Sequence, residues 1–164
     1  MTEFYLGIGS NKHREHNIRS CVAYLHASFT KIKVSTAYQS KAFGFEGQDF
    51  YNLVVHVSSA FDAWQMKQWL QNLEDMLGRD RSQPRYSDRM IDIDLLLVDD
   101  LIIDDGVVQI PRREILKRAY VLKPLTDLAP DLILPGYKKR LAELWQAFEF
   151  KRDIQSVKTF LPHQ

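Results

Sequence analysis

The chain has 164 residues with 22 Lys and Arg against 21 Asp and Glu, and its net charge of +1 speaks against a polyanion-binding face and a nucleic-acid role. At 45% hydrophobic residues it can bury one full core, so a monomeric single domain over 1–164 is expected, with 151–164 as a loosely held tail. The lone Cys21 excludes an internal disulfide, no apolar run nears the ~18 residues of a membrane span, and the N-terminus lacks the basic-then-apolar order of a signal peptide, so a cytoplasmic location is expected.

Residues 2–9 mix β-branched, aromatic and apolar side chains and stop at Gly9-Ser10-Asn11, which predicts a strand closed by a turn. Ile18, Cys21, Val22, Leu25 and Phe29 recur at helical spacing and predict a helix over 12–29. Residues 31–40 alternate, placing Ile32, Val34, Thr36 and Tyr38 on one strand face. A loop over 41–49 leads to a strand over 50–59. Asp62 and Gln65 have capping-box spacing, and Met66, Trp69, Leu70, Leu73, Met76 and Leu77 form the apolar stripe of a helix that Gly78 ends. Trp64 is expected in or near the core, and His26 and His56 as structural histidines. Residues 79–88 read as a basic loop and 90–98 as a strand. Asp99-Asp100 and Asp104-Asp105-Gly106 read as turns around a short hairpin. A short helix follows over 113–118. Pro124, Pro130 and Pro135-Gly136 should break the next segment, before a last helix over 140–148. The order strand, helix, strand, strand, helix, strand is that of a ferredoxin-like α+β sandwich: an antiparallel sheet with helices on one face, plus C-terminal additions.

The sharpest chemical feature is Asp92-Ile93-Asp94. Alternate strand residues share a face, so the two carboxylates project together while Ile91, Ile93, Leu95 and Leu97 turn to the core. Two adjacent carboxylates on a mostly buried strand repel each other and lose hydration, which a divalent cation relieves. Magnesium takes one or two carboxylates plus phosphate oxygens. The plainer alternative is a strand end carrying two solvated acids. Arg79, Arg81, Arg85 and Arg89 precede the pair, and guanidinium groups suit bidentate phosphate binding. Carboxylate-held magnesium beside several arginines is the equipment of phosphoryl-type transfer. Gly7-Ile8-Gly9-Ser10 lacks the remaining residues of a dinucleotide or P-loop fingerprint and reads as a tight turn. Phe43, Phe45, Phe50 and Tyr51 cluster near Asn52 and could sandwich a flat heterocycle, although core packing explains them as well.

These blocks, taken in order from residue 4 to about 148, resemble the 6-hydroxymethyl-7,8-dihydropterin pyrophosphokinase family. The similar segments are Gly7-Ile8-Gly9-Ser10-Asn11, Asp49-Phe50-Tyr51-Asn52, the helix end from Glu74 through Gly78-Arg79 to Arg81, and Tyr86 to Leu95 with its Arg89-x-x-Asp92-x-Asp94 core. Pro111, then Arg118-Ala119-Tyr120, Pro124-Leu125 and Ala129-Pro130-Asp131 complete the match. The resemblance implies a ferredoxin-like fold, ATP as co-substrate and two magnesium ions held by Asp92 and Asp94. It also implies pyrophosphate transfer to a small-molecule pterin, giving AMP and the pterin diphosphate in folate biosynthesis. It assigns Arg79, Arg81, Arg89, Arg112 and Arg118 to the triphosphate or to loop closure, Arg79 and Arg89 being counted with the two aspartates as catalytic. Gln71, Glu74, Leu95, Val108 and Gln109 would lie near the nucleoside. Asn52 would hydrogen-bond the pterin, Phe50 and Tyr120 flank its ring, Ser40 and Phe43 line its pocket, and Tyr86 sit on a mobile loop.

The chain departs from the family pattern in three places. Ser87-Asp88 brings an extra acid beside Arg89, which either weakens phosphate binding or forms a salt bridge that positions Arg89. Arg112 stands where the family often has His, keeping positive charge but not titrating near neutral pH. Lys41-Ala42 stands in place of a frequent Pro-Pro or Pro-small pair and should make the loop less rigid. These departures leave room for a second reading, a weakly catalytic paralogue that binds pterin or ATP. An RNA-binding ferredoxin-like domain lacks support, since no Lys/Arg-Gly-aromatic block is present.

Overall fold

In the computed structural model, which describes residues 1–158, 160 and 161, the chain follows the ferredoxin-like course. The elements are β1 (Thr2–Ser10), α1 (Arg14–Ser28), β2 (Ile32–Val34), β3 (Tyr38–Ser40), β4 (Phe50–Ser59), α2 (Ala63–Met76), β5 (Asp92–Val98), β6 (Ile103–Asp104) and β7 (Gln109–Ile110). A 3₁₀ turn (Arg113–Leu116), α3 (Ala119–Leu128), α4 (Leu141–Gln146) and β8 (Ile154–Ser156) follow. The main sheet has the order β5-β1-β4-β3-β8, with β2 also on β4, and its neighbours run antiparallel. The chain leaves β1 through α1 to reach the far side of β4, and leaves β4 through α2 to reach the far side of β1. That split crossover puts both helices on one face. There Phe4, Leu6 and Ile8 of β1 and Leu53, Val55 and Val57 of β4 pack against Ile18, Cys21 and Leu25 of α1 and Met66, Leu70 and Leu73 of α2.

The C-terminal additions form a second layer on the opposite face, where Val54 and Leu96 meet Ile115, Val121, Leu122, Leu125 and Leu141. Pro124 does not break this segment but lies inside α3. Its missing N–H would have served Tyr120, in the helix's first turn, and burial of Val121, Leu122 and Leu125 carries the helix through.

Several alternations shift phase. Residues 31–40 form two strands rather than one. The Val54 N–H is taken by Ser35 Oγ at 2.9 Å, and this side chain interrupts the ladder. Val34 therefore joins the α1/α2 core, Thr36 is exposed, and Tyr38 reaches the other face to bond Asp127. A bulge opposite Tyr5 and Leu6 leaves Leu96 without a partner on β1. Leu97 thereby packs with the α3 layer, not with Ile93 and Leu95. In α2 the Asp62–Gln65 capping box forms, but Met76 is exposed, as is Trp64, whose indole donates to Asp105. His26 is exposed as well.

Gly7 and Gly9 lie within β1 and not in a turn. The expected loose tail is also packed: β8 pairs with β3, the Val157 N–H donates to the Ala37 carbonyl, Phe160 stacks on Tyr51, and Leu161 is buried. Residues 159 and 162–164 of that tail lie outside the described residues.

Candidate active site

Every residue that the resemblance assigns to the site lines one cleft of about 620 Å³, bounded by the 41–49 and 79–91 loops and the start of α3, whereas Tyr51 of the aromatic cluster packs in the α1/α2 core instead. Its floor follows from strand register. Asn52 of β4 pairs with Gly9 of β1, which pairs with Asp92 of β5. The next row on that face is Val54, Gly7 and Asp94. Directly paired residues point to the same side of a sheet, so neither glycine places a side chain between Asn52 and the carboxylates, although Leu96 packs over Gly7.

Each aspartate is met by an arginine that a second carboxylate also holds. Arg79 Nη1 donates to Asp92 at 2.8 Å and to Glu74 at 3.0 Å. Glu74 is buried at the end of α2, accepts the Ile93 N–H at 2.8 Å and takes Arg81 at 3.1 Å. Burial pushes the Glu74 carboxyl above its ordinary value, against the pull of the Ile93 N–H. On the other side Arg112 lies 3.5 Å from Asp94 and 3.2 Å from Glu114. Burial and then the charge of Asp92 push Asp94 up to about 7, with Arg112 opposing them. Arg79 Nε, Arg112 Nε and Glu114 Oε2 are buried without a hydrogen-bond partner, so this wall of the cleft keeps unspent polar capacity.

The opposite wall is aromatic. The Arg118 guanidinium stacks 3.8 Å over Phe43, which meets Tyr86 edge-on at 5.4 Å, while Phe45 meets Phe50 edge-on at 6.4 Å. Asn52 Nδ2 donates to Ser40 Oγ at 2.9 Å, which fixes the amide and leaves its oxygen toward Gly9.

A family model for 7,8-dihydro-6-hydroxymethylpterin-pyrophosphokinase (HPPK) matches residues 5–130. The chain belongs to this family. It is 33% identical over 151 residues to the 2-amino-4-hydroxy-6-hydroxymethyldihydropteridine pyrophosphokinase of Aquifex aeolicus, covering 87% of this chain and 90% of that one. To the Bacillus subtilis enzyme of the same name it is 33% identical over 132 residues, 78% of each. The Plasmodium falciparum HPPK-DHPS crystal structure with pteroate superposes with a TM-score of 0.69 at 14% identity, over 89% of this chain but only 42% of that one. At that identity the likeness is one of fold, and the chain spans less than half of that longer protein.

Several HPPK-family positions have protein partners that the sequence left open. Arg89 is buried, and its guanidinium donates to the carbonyls of Pro84, Arg85 and Asp88 and to the Ser87 hydroxyl. It cross-links its own loop. Asp88 makes no salt bridge to Arg89; its carboxylate accepts from Asn11 Nδ2 at 2.8 Å. Arg81 ties Asp75, Glu74 and the Gln71 carbonyl together. Leu95 lines the cleft, yet its side chain belongs to the α1/α2 core. Glu114, Lys67 and Lys117 also line the cleft and were not anticipated. Lys67 could have been found, since it stands four residues before Gln71 and seven before Glu74 on one helix face. Glu114 carries no sequence signal beyond lying two residues after Arg112.

The carboxylate pair suits magnesium. Asp94 is raised by burial and then by its neighbour's charge, and a shared cation would offset both. Among the described residues no group of three or more His, Cys, Asp and Glu forms a protein-only cage, so further ligands would come from substrate oxygens, as magnesium prefers. Among them, too, no helix is long and apolar enough to cross a membrane.

Proposed function

We propose that the chain is a monomeric, cytoplasmic enzyme that transfers pyrophosphate from ATP to the hydroxymethyl oxygen of 6-hydroxymethyl-7,8-dihydropterin. The products are AMP and the pterin diphosphate, and the step belongs to folate biosynthesis. The observation that carries this reading is the strand row Asn52–Gly9–Asp92, which sets an amide able to read a pterin edge beside a carboxylate pair in one cleft. The pterin oxygen forms a bond to the β-phosphorus, the bond from that phosphorus to the oxygen bridging it to the α-phosphate breaks so that this oxygen leaves with AMP, and the hydroxyl proton is released to solvent.

Asn52 orients the pterin through the amide that Ser40 holds, with Phe50, Phe43 and Tyr120 against its ring. Asp92 and Asp94 would hold two magnesium ions, which would supply charge neutralisation to the phosphates being transferred. Arg79 and Arg112 present cationic donors to the triphosphate. Gln71, Glu74, Val108 and Gln109 mark the nucleoside side. Arg89 acts by holding the 84–88 loop in shape to cover the cleft, with Tyr86 on it, and so excludes water that would otherwise hydrolyse ATP. Asp88 turns away to Asn11, which removes one reason to read the chain as a weak paralogue.

The test is AMP formation from ATP and magnesium, with and without the pterin, for the wild type and Asp94→Ala. Pterin-dependent AMP release that the variant loses supports both the reaction and the metal carboxylates. A folded wild type that binds ATP but releases no AMP favours the binding paralogue.

A further inference from the structure

Arg112 and Arg79 make the same kind of bridge, but not with the same hold. Arg79 donates to Asp92 at 2.8 Å, to Glu74 at 3.0 Å and to the Ile91 carbonyl at 3.4 Å, so several acceptors fix it. Arg112 stands 3.5 Å from Asp94, beyond the ~2.7–2.9 Å of a charge-assisted hydrogen bond. Its Nε lies 3.2 Å from Glu114 Oε2, yet both atoms remain without an aligned hydrogen bond. Its main chain is nevertheless fixed beside β5, with the N–H donating to the Leu96 carbonyl at 3.0 Å. Arg112 is thus a tethered cation, loosely paired, with a second carboxylate ready on its other side.

We propose that Arg112 is a resident counter-cation of Asp94 that the incoming metal displaces, and that Glu114 keeps the displaced guanidinium in the cleft until phosphate oxygens take it over. The proposal rests on reading Asp92 and Asp94 as the magnesium carboxylates. Without nucleotide, a metal ion must expel Arg112 from Asp94 and leave it with Glu114 alone. With nucleotide, the same movement delivers Arg112 to an anion. Metal and nucleotide therefore bind cooperatively, and the coupling is reciprocal. This discourages metal binding to the empty cleft and links closure of the charge balance to arrival of the substrate.

The experiment titrates Mn²⁺, followed by its free-ion electron paramagnetic resonance signal, into wild type, Arg112→Ala, Arg112→Gln, Lys117→Ala and Asp94→Asn. Each titration is run alone and with an α,β-methylene analogue of ATP. Without the analogue, both Arg112 variants should bind Mn²⁺ about tenfold tighter than wild type, the scale expected for removing one competing charge from a partly screened site. The gain in Mn²⁺ affinity that the analogue brings should shrink by about the same factor. Lys117→Ala, which removes a cleft cation not paired with Asp94, should leave Mn²⁺ affinity near the wild-type value. Unchanged or weaker Mn²⁺ binding in the Arg112 variants overturns the proposal, as does equal tightening in Lys117→Ala. If wild type with the analogue binds no Mn²⁺, or if Asp94→Asn leaves that binding intact, the carboxylate reading itself fails. A proposal that fails alone leaves analogue-supported, Asp94-dependent binding in place.

Discussion

Asn52 and Asp92 face one cleft from either side of Gly9, with no side chain between them. A Cβ added at position 9 would stand 2.9 Å from Asn52 Oδ1, closer than such contacts occur. The neighbouring backbone is fixed in the centre of the sheet, so the Asn52 amide must turn away and leave Ser40. Gly9→Ala should therefore raise the KM for the pterin by about tenfold to a hundredfold, the worth of one misplaced buried hydrogen-bonding group. The KM for ATP should change much less. Steady-state kinetics in each substrate decide this, with circular dichroism to confirm folding. An equal rise in both values would mean that the strand row does not separate the two subsites in this way.

Glu74 holds Arg79 and Arg81 and accepts the Ile93 N–H. Glu74→Gln keeps the shape but removes the charge that Arg79 shares between Glu74 and Asp92. Arg79 should lose its fixed position, and pterin-dependent kcat should fall. A double-mutant cycle with Arg79→Ala provides the check. Because both substitutions disrupt the same bridge, their combined loss should fall short of additive by about 1–3 kcal/mol. Additive losses would show that Glu74 acts independently of Arg79.

The carboxylate pair was legible because strand alternation is a local rule, and Asp92 and Asp94 obey it before any bulge intervenes. The α2 cap was legible for the same reason, being written within Asp62 to Gln65. Leu97 was misassigned because the bulge at Leu96 depends on how β5 registers against β1, which no window of β5 alone encodes. Pro124 was read as a breaker because propensity was weighed without the buried face that overrides it. The arginines were recognised as a class, but their partners were not. Whether a guanidinium meets phosphate or the carbonyls of its own loop, the two roles left open for Arg89, depends on contacts that the sequence does not order.

That loop contact has a measurable consequence. Arg89 joins Pro84, Arg85, Ser87 and Asp88 through a planar fork that a lysine ammonium cannot reproduce. Arg89→Lys keeps the charge and should still release the loop. Limited trypsin digestion of the variant should cut after Arg85 well before the wild type is touched, while kcat for pterin-dependent AMP release falls by about tenfold or more as water exclusion is lost. If Arg89→Lys resists trypsin as the wild type does and retains its rate, the residue contributes only charge.

The segment from β8 to Leu161 gives a last case, because it links stability to the pterin side of the cleft. β8 pairs with Ser40, Gln39 and Tyr38 of β3, and Phe160 stacks on Tyr51 while its carbonyl accepts from Arg19. Ending the chain at Asp153 removes the ladder on β3, exposes the Tyr51 ring and empties the place of Leu161. Loss of one buried leucine and one half-buried phenylalanine should lower unfolding stability by about 2–5 kcal/mol, read from the urea midpoint. The loss should not stop at stability. β3 carries Ser40, whose hydroxyl fixes the Asn52 amide, so a frayed β3 edge frees that amide. The truncated chain, assayed well below its unfolding midpoint, should show a raised KM for the pterin with the KM for ATP nearly unchanged. A truncated chain that loses stability but keeps its pterin KM would show that β4 alone suffices to position Asn52.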